Sequence, residues 1–551
     1  MRFTAVFFLA AAVTVAVAQS SASAQTEPAE HLGTVSFSVS CSPSAQQSFN
    51  RGIALLHDFW YAEADAEFHR ILAADPSCAM AHWGLAMTLF HQIWGRPNPP
   101  AMQAGWKDMQ KAASLSARTE RERDYIAALS LFYKPGPQDF MARASAYSTA
   151  MGALYRKFPD DIDAGAFYAL SMLASMAPND TSLTHNHEAM AVLAPLFARH
   201  PDNPGLDHYV IHACDNPAMA ADALTAADHY LLIAPSGPHA AHMPGHIYAR
   251  LGLWQKDIDA QLASIHASEV AEANHEDGLM DEPHSFDFLA YAYLQSGQDA
   301  KAQELQEKMR SVLSRIDSMR GMAAEHMAGM SAYYLSEFPA VYGIEMRNWK
   351  AAAALQPIAG ASPEIAMETW WARAIADGHL QDGAAAPNDR KQFDALIEEL
   401  RKGSNAFMAS STSAEIMHEE VIAWAGFAQK QNDEALQHMR AAADLQDKVG
   451  QGEVDIPARE MLGDMLLELH RPQEALAAYR IALKLSPNRF NGLYHAGVAA
   501  EQSGDKTAAG QYFAELLRST HDGAHSARPE LAIARNFLTS NATASAANVE
   551  K

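Results

Sequence analysis

The amino-acid sequence predicts an all-α solenoid, a stack of antiparallel helix pairs. Its 551 residues are too many for one ordinary hydrophobic core but suit a structure that grows by adding repeats. Two His-x3-His pairs, His208/His212 and His242/His246, are offset by 34 residues position for position. A period of that size is typical of a repeat made of a helix, a turn and a second helix. A pattern of small, aromatic and proline residues also returns at both ends of the chain.

The first repeat shows this pattern clearly. Gly52 is the small residue where the first helix of the pair (helix A) is expected to meet the second (helix B), and Phe68 and Pro76 follow at fixed spacing. The same marks return near the C-terminus at Gly463, Ala475, Tyr479, Ala482 and Pro487, and again at Gly497, Ala509 and Phe513. This spacing resembles that of the tetratricopeptide repeat family. The resemblance implies a right-handed superhelix whose concave face is built from the A helices.

The first 24 residues have the pattern of a secretory signal peptide. Arg2 gives a positive start, residues 5–17 are apolar, and residues 22–24 (Ala-Ser-Ala) form a small-x-small cleavage site before Gln25. We therefore expect an exported protein, either periplasmic or secreted. Residues 234–254 are similar to a segment of large exported bacterial repeat proteins, and that resemblance supplies the fold and no reaction.

These marks divide the chain into six regions. The regions are a signal peptide (1–24), a linker (25–42), N-terminal and central repeats that carry the histidines (43–325), an irregular helical segment (326–410), C-terminal repeats (411–535) and a disordered tail (536–551).

The formal net charge of −24 indicates an acidic surface. Such a surface repels the phosphates of nucleic acids and anionic membranes, so we expect no nucleic-acid partner. No internal stretch approaches the length of an uncharged membrane-spanning run, so no membrane insertion is expected after signal cleavage. A protein or peptide partner remains compatible with this composition.

The cysteines predict one disulfide. Cys41 immediately precedes the first repeat and Cys78 follows its closing proline. A helical hairpin brings its two ends together, and an oxidising compartment allows the bond to form. Cys214 is expected to remain a buried thiol.

The two His-x3-His pairs are expected to occupy equivalent places on successive A helices. Residues four apart lie on one face of a helix, with their Cβ atoms about 5–6 Å apart. Packed helices lie about 8–10 Å apart, so His208, His212, His242 and His246 are expected to converge on the concave side. His239 lies on the same stripe, three residues before His242.

Three further residues are expected to support this cluster. His284 and Asp287 match His239 and His242 in the following repeat, and Asp215 turns toward the same groove. Imidazole is the commonest ligand of zinc, copper and non-haem iron, so the five histidines are candidate ligands of a transition metal. The two carboxylates could ligate or could orient an imidazole N–H.

Three interpretations of function remain open. The first is an exported solenoid that binds a ligand or protein partner in its groove, with a transition-metal site at the histidine cluster. The second is a metal-dependent enzyme, an oxidase or a hydrolase, and the third is an interaction scaffold without metal. The sequence contains no H-E-x-x-H, G-x-S-x-G or G-x-x-x-x-G-K motif that would assign a reaction.

The signal peptide predicts that the mature protein begins at or near Gln25. The reason is that the small-x-small motif directly precedes this residue. N-terminal sequencing of native protein from the expressing cell checks it. An intact Met1 on the bulk of the protein would contradict export.

Overall fold

A computed structural model describes residues 30–549, except 94, 116, 178–179, 280, 319–321, 403–410, 451, 453, 522–523 and 525. Within these residues every regular element is a helix, as predicted. Consecutive helices pack against each other along the chain, which is the arrangement of an α-solenoid.

The N-terminal repeats are built from ten α-helices. They are α1 (Gln46–His57), α2 (Tyr61–Ala74), α3 (Ala79–Thr88), α4 (Pro99–Ser114), α5 (Glu120–Tyr133), α6 (Phe140–Lys157), α7 (Ile162–Ala174), α8 (Thr184–Phe197), α9 (Pro204–Cys214) and α10 (Leu224–Ile233).

The central part contains the next nine described helices. They are α11 (Pro238–His242), α12 (Pro244–Arg250), α13 (Trp254–Ala273), α14 (Glu282–Gln295), α15 (Asp299–Ser318), α16 (Met322–Glu345), α17 (Trp349–Ala353), α18 (Pro363–Leu380) and α19 (Ala386–Lys402). The segment 326–410, whose register the sequence did not define, therefore contains helices that pack in sequence like the others.

The C-terminal repeats follow with the same alternation. Their helices are α20 (Thr412–Ala428), α21 (Asn432–Val449), α22 (Ala458–Glu468), α23 (Pro472–Leu485), α24 (Phe490–Gln502), α25 (Lys506–Ser519) and α26 (Pro529–Val549). Helix α26 occupies most of the region that we expected to be a disordered tail.

The glycines predicted to lie between helices A and B are confirmed. A Cβ atom added at Gly52, Gly463 or Gly497 would press on an aromatic ring of the following helix, and one added at Gly245 would overlap the Gln261 amide. The aromatic partners are Phe68, Tyr479 and Phe513. A side chain at any of these positions would force the two helices apart.

The predicted disulfide is also present. Cys41 and Cys78 are bonded, with their Cα atoms 4.8 Å apart, and Cys214 is a buried free thiol. The bond ties the segment before α1 to the start of α3. The disulfide therefore links the two ends of the first helix pair, α1 and α2.

The described part of the expected linker, residues 30–42, packs on the repeats. The Phe37 side chain is fully buried, and its ring centroid lies 5.1 Å from that of Tyr125. The Gly33 N–H donates to the Ile233 carbonyl at 2.8 Å. This segment thus joins the first repeat to the end of α10, between the two His-x3-His pairs.

The C-terminal repeats contact the central helices. Trp254 Nε1 donates to the Asn488 carbonyl at 2.8 Å. Arg489 is fully buried and pairs with Glu345 at 2.7 Å and with Glu460 at 2.9 Å. Removing one partner of such a buried pair would leave an uncompensated charge, so this junction is held in one arrangement.

Among the described helices, none is both long enough and apolar enough to span a membrane.

Replacing Gly463 with alanine is predicted to destabilise the C-terminal repeats by about 1–3 kcal/mol through overpacking. The new Cβ would lie 2.6 Å from the Tyr479 ring. The midpoint of urea unfolding measures the change.

Gly426→Ala is the matched control, because it also lies within a helix but a Cβ there meets its nearest atom at 3.7 Å. Helix propensity alone should make this control more stable by about 0.5–1 kcal/mol. Equal effects of the two substitutions would show that the helix A–helix B contact at Gly463 is wrong.

Candidate metal centre

The histidines lie on three neighbouring A helices in the middle of the stack. Helix α9 begins at Pro204, where the Asn203 side chain accepts a hydrogen bond from the Gly205 N–H and caps the first turn. The next A helix is divided at Met243 into α11 and α12, because Pro244 has no N–H to continue the hydrogen-bond ladder. Helix α14 is the third of these A helices and supplies His284.

The first group of rings, here called the first triad, comprises His208, His212 and His239. Each offers one ring nitrogen, and these nitrogens lie within 4.8 Å of one another. His208 Nε2 is 3.2 Å from His239 Nε2. Helix α9 therefore supplies two members and the following repeat supplies the third.

The second triad comprises His242, His246 and His284, with the same 4.8 Å limit. His242 Nε2 and His246 Nε2 are 2.8 Å apart. The ring of His284, which we expected only to support the cluster, lies with its centroid 4.5 Å from that of His242. The structure thus groups the five predicted histidines and His284 into two sets of three.

Hydrogen bonds at Nδ1 determine which ring nitrogen carries a proton in three of these rings. His208 Nδ1 lies 2.5 Å from the His57 carbonyl oxygen, and His246 Nδ1 lies 3.0 Å from Asp215 Oδ2. Such oxygens can only accept, so in the neutral ring Nδ1 is the protonated nitrogen and Nε2 keeps its lone pair. A metal ligand requires that tautomer.

His242 is oriented by a two-residue relay. Its Nδ1 donates to Gln261 Oε1 at 2.7 Å, and Gln261 Nε2 donates to Asp257 Oδ1 at 2.9 Å. The Asp257 oxygen orients the amide, which in turn places the proton on Nδ1 of His242. Gly245 allows this relay, because a Cβ at that position would overlap the Gln261 amide nitrogen.

The lone pairs of His242 Nε2 and His246 Nε2 therefore face each other. Two lone pairs at 2.8 Å repel unless a cation lies between them. Ligands 2.0–2.1 Å from one metal, at angles of 90–110°, are about 2.9–3.4 Å apart. The 2.8 Å and 3.2 Å nitrogen separations in the two triads are close to these values.

The first triad contains a further unsatisfied nitrogen. His212 Nε2 is buried and has no hydrogen-bond partner among the residues that the structure describes. Burying a polar atom without a partner costs about 1–3 kcal/mol. A bound cation would satisfy this atom.

Burial keeps most of the cluster neutral. It lowers the pKa of His208, His239 and His242 well below the usual value. Loss of hydration lowers the pKa of His212 and of His284 to about 3. The charge of neighbouring histidines is a second cause of this lowering of the pKa, because two imidazolium ions would repel. A bound metal would thus be released only well below pH 6.5, lower than a free imidazole would suggest.

A phenylalanine covers each triad. The Phe59 ring centroid is 4.3, 5.5 and 5.6 Å from those of His208, His212 and His239. Phe59 has a φ of 56°, the left-handed conformation that Lys430 and His470 also adopt at the equivalent turns between helices A and B.

Phe288 has the same relation to the second triad. Its centroid is 4.9, 4.8 and 5.2 Å from those of His242, His246 and His284. It lies four residues after His284 on α14, a spacing that could have indicated the contact. Phe59 gave no such signal, since it reaches the cluster from a different repeat.

The two expected carboxylates have different surroundings. Asp215 accepts hydrogen bonds from His246 Nδ1 and from Arg250 Nε, both at 3.0 Å, as expected of an orienting group. Burial raises the pKa of Glu337 and of Tyr334, and the charge of nearby Asp287 adds to both increases. Its role toward the histidines stays a prediction.

Two stretches of the chain match the tetratricopeptide repeat family. They are residues 61–114 and 460–524. The predicted repeat skeleton at the two ends of the chain is therefore confirmed. The histidines of both triads lie outside these stretches, so the family match leaves their role open.

Solved structures of human IFIT1 are among those to which this chain is similar. The dimer with m7Gppp-AAAA is 13% identical with a TM-score of 0.37, and the match covers 84% of this chain and 94% of that chain. The dimer with PPP-AAAA gives the same identity and coverage with a TM-score of 0.36. No curated protein matches the chain.

Titration of the metal-free protein is predicted to leave His212 neutral at pH 5, because its pKa is about 3. The unfolded chain protonates His212 near pH 6.5, whereas the native state does not. Protonation therefore stabilises the unfolded chain, and the native protein becomes less stable as the pH falls below 6.5. NMR of histidine-labelled protein measures the midpoint, with His212→Ala assigning the resonance. A midpoint near 6.5 would contradict burial of this ring.

Proposed function

We propose that this protein is an exported tetratricopeptide-type solenoid that binds a transition-metal ion through its central histidines. The observation that carries the proposal is the pair of facing Nε2 atoms in His242 and His246, 2.8 Å apart. Acceptors hold Nδ1 of both rings, so while both rings are neutral neither Nε2 carries a proton that could join them. A metal ion removes this conflict.

The donor set suits zinc, copper or iron. Each triad consists of imidazoles alone, and these borderline ligands favour such metals over calcium or magnesium. Three protein ligands leave a coordination position open, as in catalytic zinc sites, whereas structural sites are closed by a fourth. This open position favours a metal-dependent enzyme, a hydrolase or an oxidase, as the second candidate function.

The repeat architecture supports a second activity, the binding of a protein or other partner in the concave groove. The IFIT1 structures contain m7Gppp-AAAA or PPP-AAAA. We do not extend that ligand to this chain, because its net charge of −24 opposes phosphate binding. A scaffold without metal is the alternative that would apply if the triads bind no ion.

Two observations support export. The N-terminal 24 residues have the signal-peptide pattern. The bonded pair Cys41–Cys78 is compatible with an oxidising compartment such as the periplasm or the exterior. Periplasmic or secreted location is therefore part of the proposal.

Removing the second triad is predicted to abolish metal binding there. Equilibrium dialysis of the metal-free protein against Zn(II) or Cu(II) should show bound metal in the wild type and less in His242→Ala/His246→Ala. The control is His69→Ala/His266→Ala, which removes two exposed imidazoles and should bind as the wild type does. Equal loss in both double variants would show that surface histidines bind the metal.

The relay at His242 makes a finer prediction. Gln261→Ala should weaken metal binding at the second triad about 10–100-fold, the usual effect of removing a group that orients a ligand. The first triad should keep its affinity, because His208 is oriented by the His57 carbonyl instead. Competition with a chelator of known affinity measures both values. An unchanged affinity at the second triad would show that the relay is structural only.

A further inference from the structure

We infer that the two triads hold two metal ions side by side as one dinuclear centre, and that this pair binds a small exogenous anion between the ions. The inference rests on the proposed metal binding. It adds the number of ions, their coupling and the chemical class of the ligand.

The two triads are built by the same rule. In each, a His-x3-His pair on one A helix is completed by the first histidine of the next repeat. His208 and His212 are completed by His239, and His242 and His246 are completed by His284. Two successive repeats thus present the same donor set, so a metal that fits one triad fits the other.

The triads adjoin. His239 and His242 lie on the same short helix but belong to different triads, and their ring centroids are 6.0 Å apart. Within the first triad, the rings of His212 and His239 are 6.3 Å apart. The gap between the triads is therefore no wider than the first triad itself. Ions held in both would be neighbours, and an anion of a few atoms could bridge them.

Charge balance calls for an anion. All six donors are neutral imidazoles, so two divalent ions would bring four positive charges into a buried space without a ligating carboxylate. Asp215 is already bonded to His246 and Arg250. Uncompensated buried charge is expensive, and an anion from solvent would offset it.

Aromatic rings and a cavity adjoin the triads. Phe59 contacts all three rings of the first triad, and Phe288 contacts all three of the second. A cavity of about 440 Å³, lined in part by His212, lies beside the first triad, so a small anion can reach it. Azide is a suitable probe, because each of its two terminal nitrogens can bind one metal.

The test uses full-length, metal-free protein titrated with Cu(II). The expected result is two equivalents bound per chain, with an EPR intensity below that of two isolated Cu(II) ions because the bridged pair is magnetically coupled. Azide should then produce a charge-transfer band that saturates at one azide per two copper ions. His239→Ala and His284→Ala should each bind one equivalent with the full EPR intensity of a single ion.

His239→Gln, with helical content checked by circular dichroism, replaces His239→Ala if that variant does not fold. Two equivalents with full, additive EPR intensity would overturn the dinuclear centre in favour of separate ions. One equivalent in the wild type would overturn it while leaving metal binding intact. No bound copper would instead contradict the proposed function itself.

Discussion

The contact between Gly245 and Gln261 connects the repeat architecture to the candidate metal centre. In the other repeats the small residue of helix A faces an aromatic ring of helix B, as Gly463 faces Tyr479. At Gly245 the facing side chain is an amide, and it donates to Asp257 while it accepts from His242. In other repeats the close approach of helices A and B serves packing. At Gly245 the same close approach lets Gln261 accept a hydrogen bond from His242, a candidate metal ligand.

The sequence predicted that the histidines lie on one face of neighbouring helices, but not that they divide into two sets of three. A 34-residue offset places equivalent side chains on the same face of successive helices, and a spacing of four keeps each pair together. The same periodicity predicted the helix contacts at Gly52 and Gly497, and the hairpin geometry predicted the disulfide between Cys41 and Cys78. These features depend on local geometry that repeats along the chain.

Other features of the site depend on contacts between residues that are far apart in the sequence, which no local sequence pattern predicts. The division of the histidines into two triads follows from the break at Met243 and from the placement of α14 after an acidic insertion. Phe59 reaches the first triad from the turn of the first repeat, far from the histidines in the sequence. Gln261 is an ordinary residue of a B helix until its partners are known.

The cluster is costly for the protein to fold without a ligand. The buried rings cannot accept protons that the unfolded chain would bind, and His212 Nε2 has no partner among the described residues. Two further Nε2 atoms face each other with their lone pairs. A metal ion would offset these costs, because it binds the Nε2 lone pair of each neutral imidazole. Metal binding should therefore also stabilise the fold.

The most direct measurement is anomalous diffraction at the copper edge from crystals of the copper-loaded protein. Metal binding by the triads predicts a peak about 2.0–2.1 Å from Nε2 of His242 and of His246. A second peak in the first triad would extend the result to the dinuclear centre. Peaks confined to surface carboxylates or histidines, with no density between His242 and His246, would contradict the central claim.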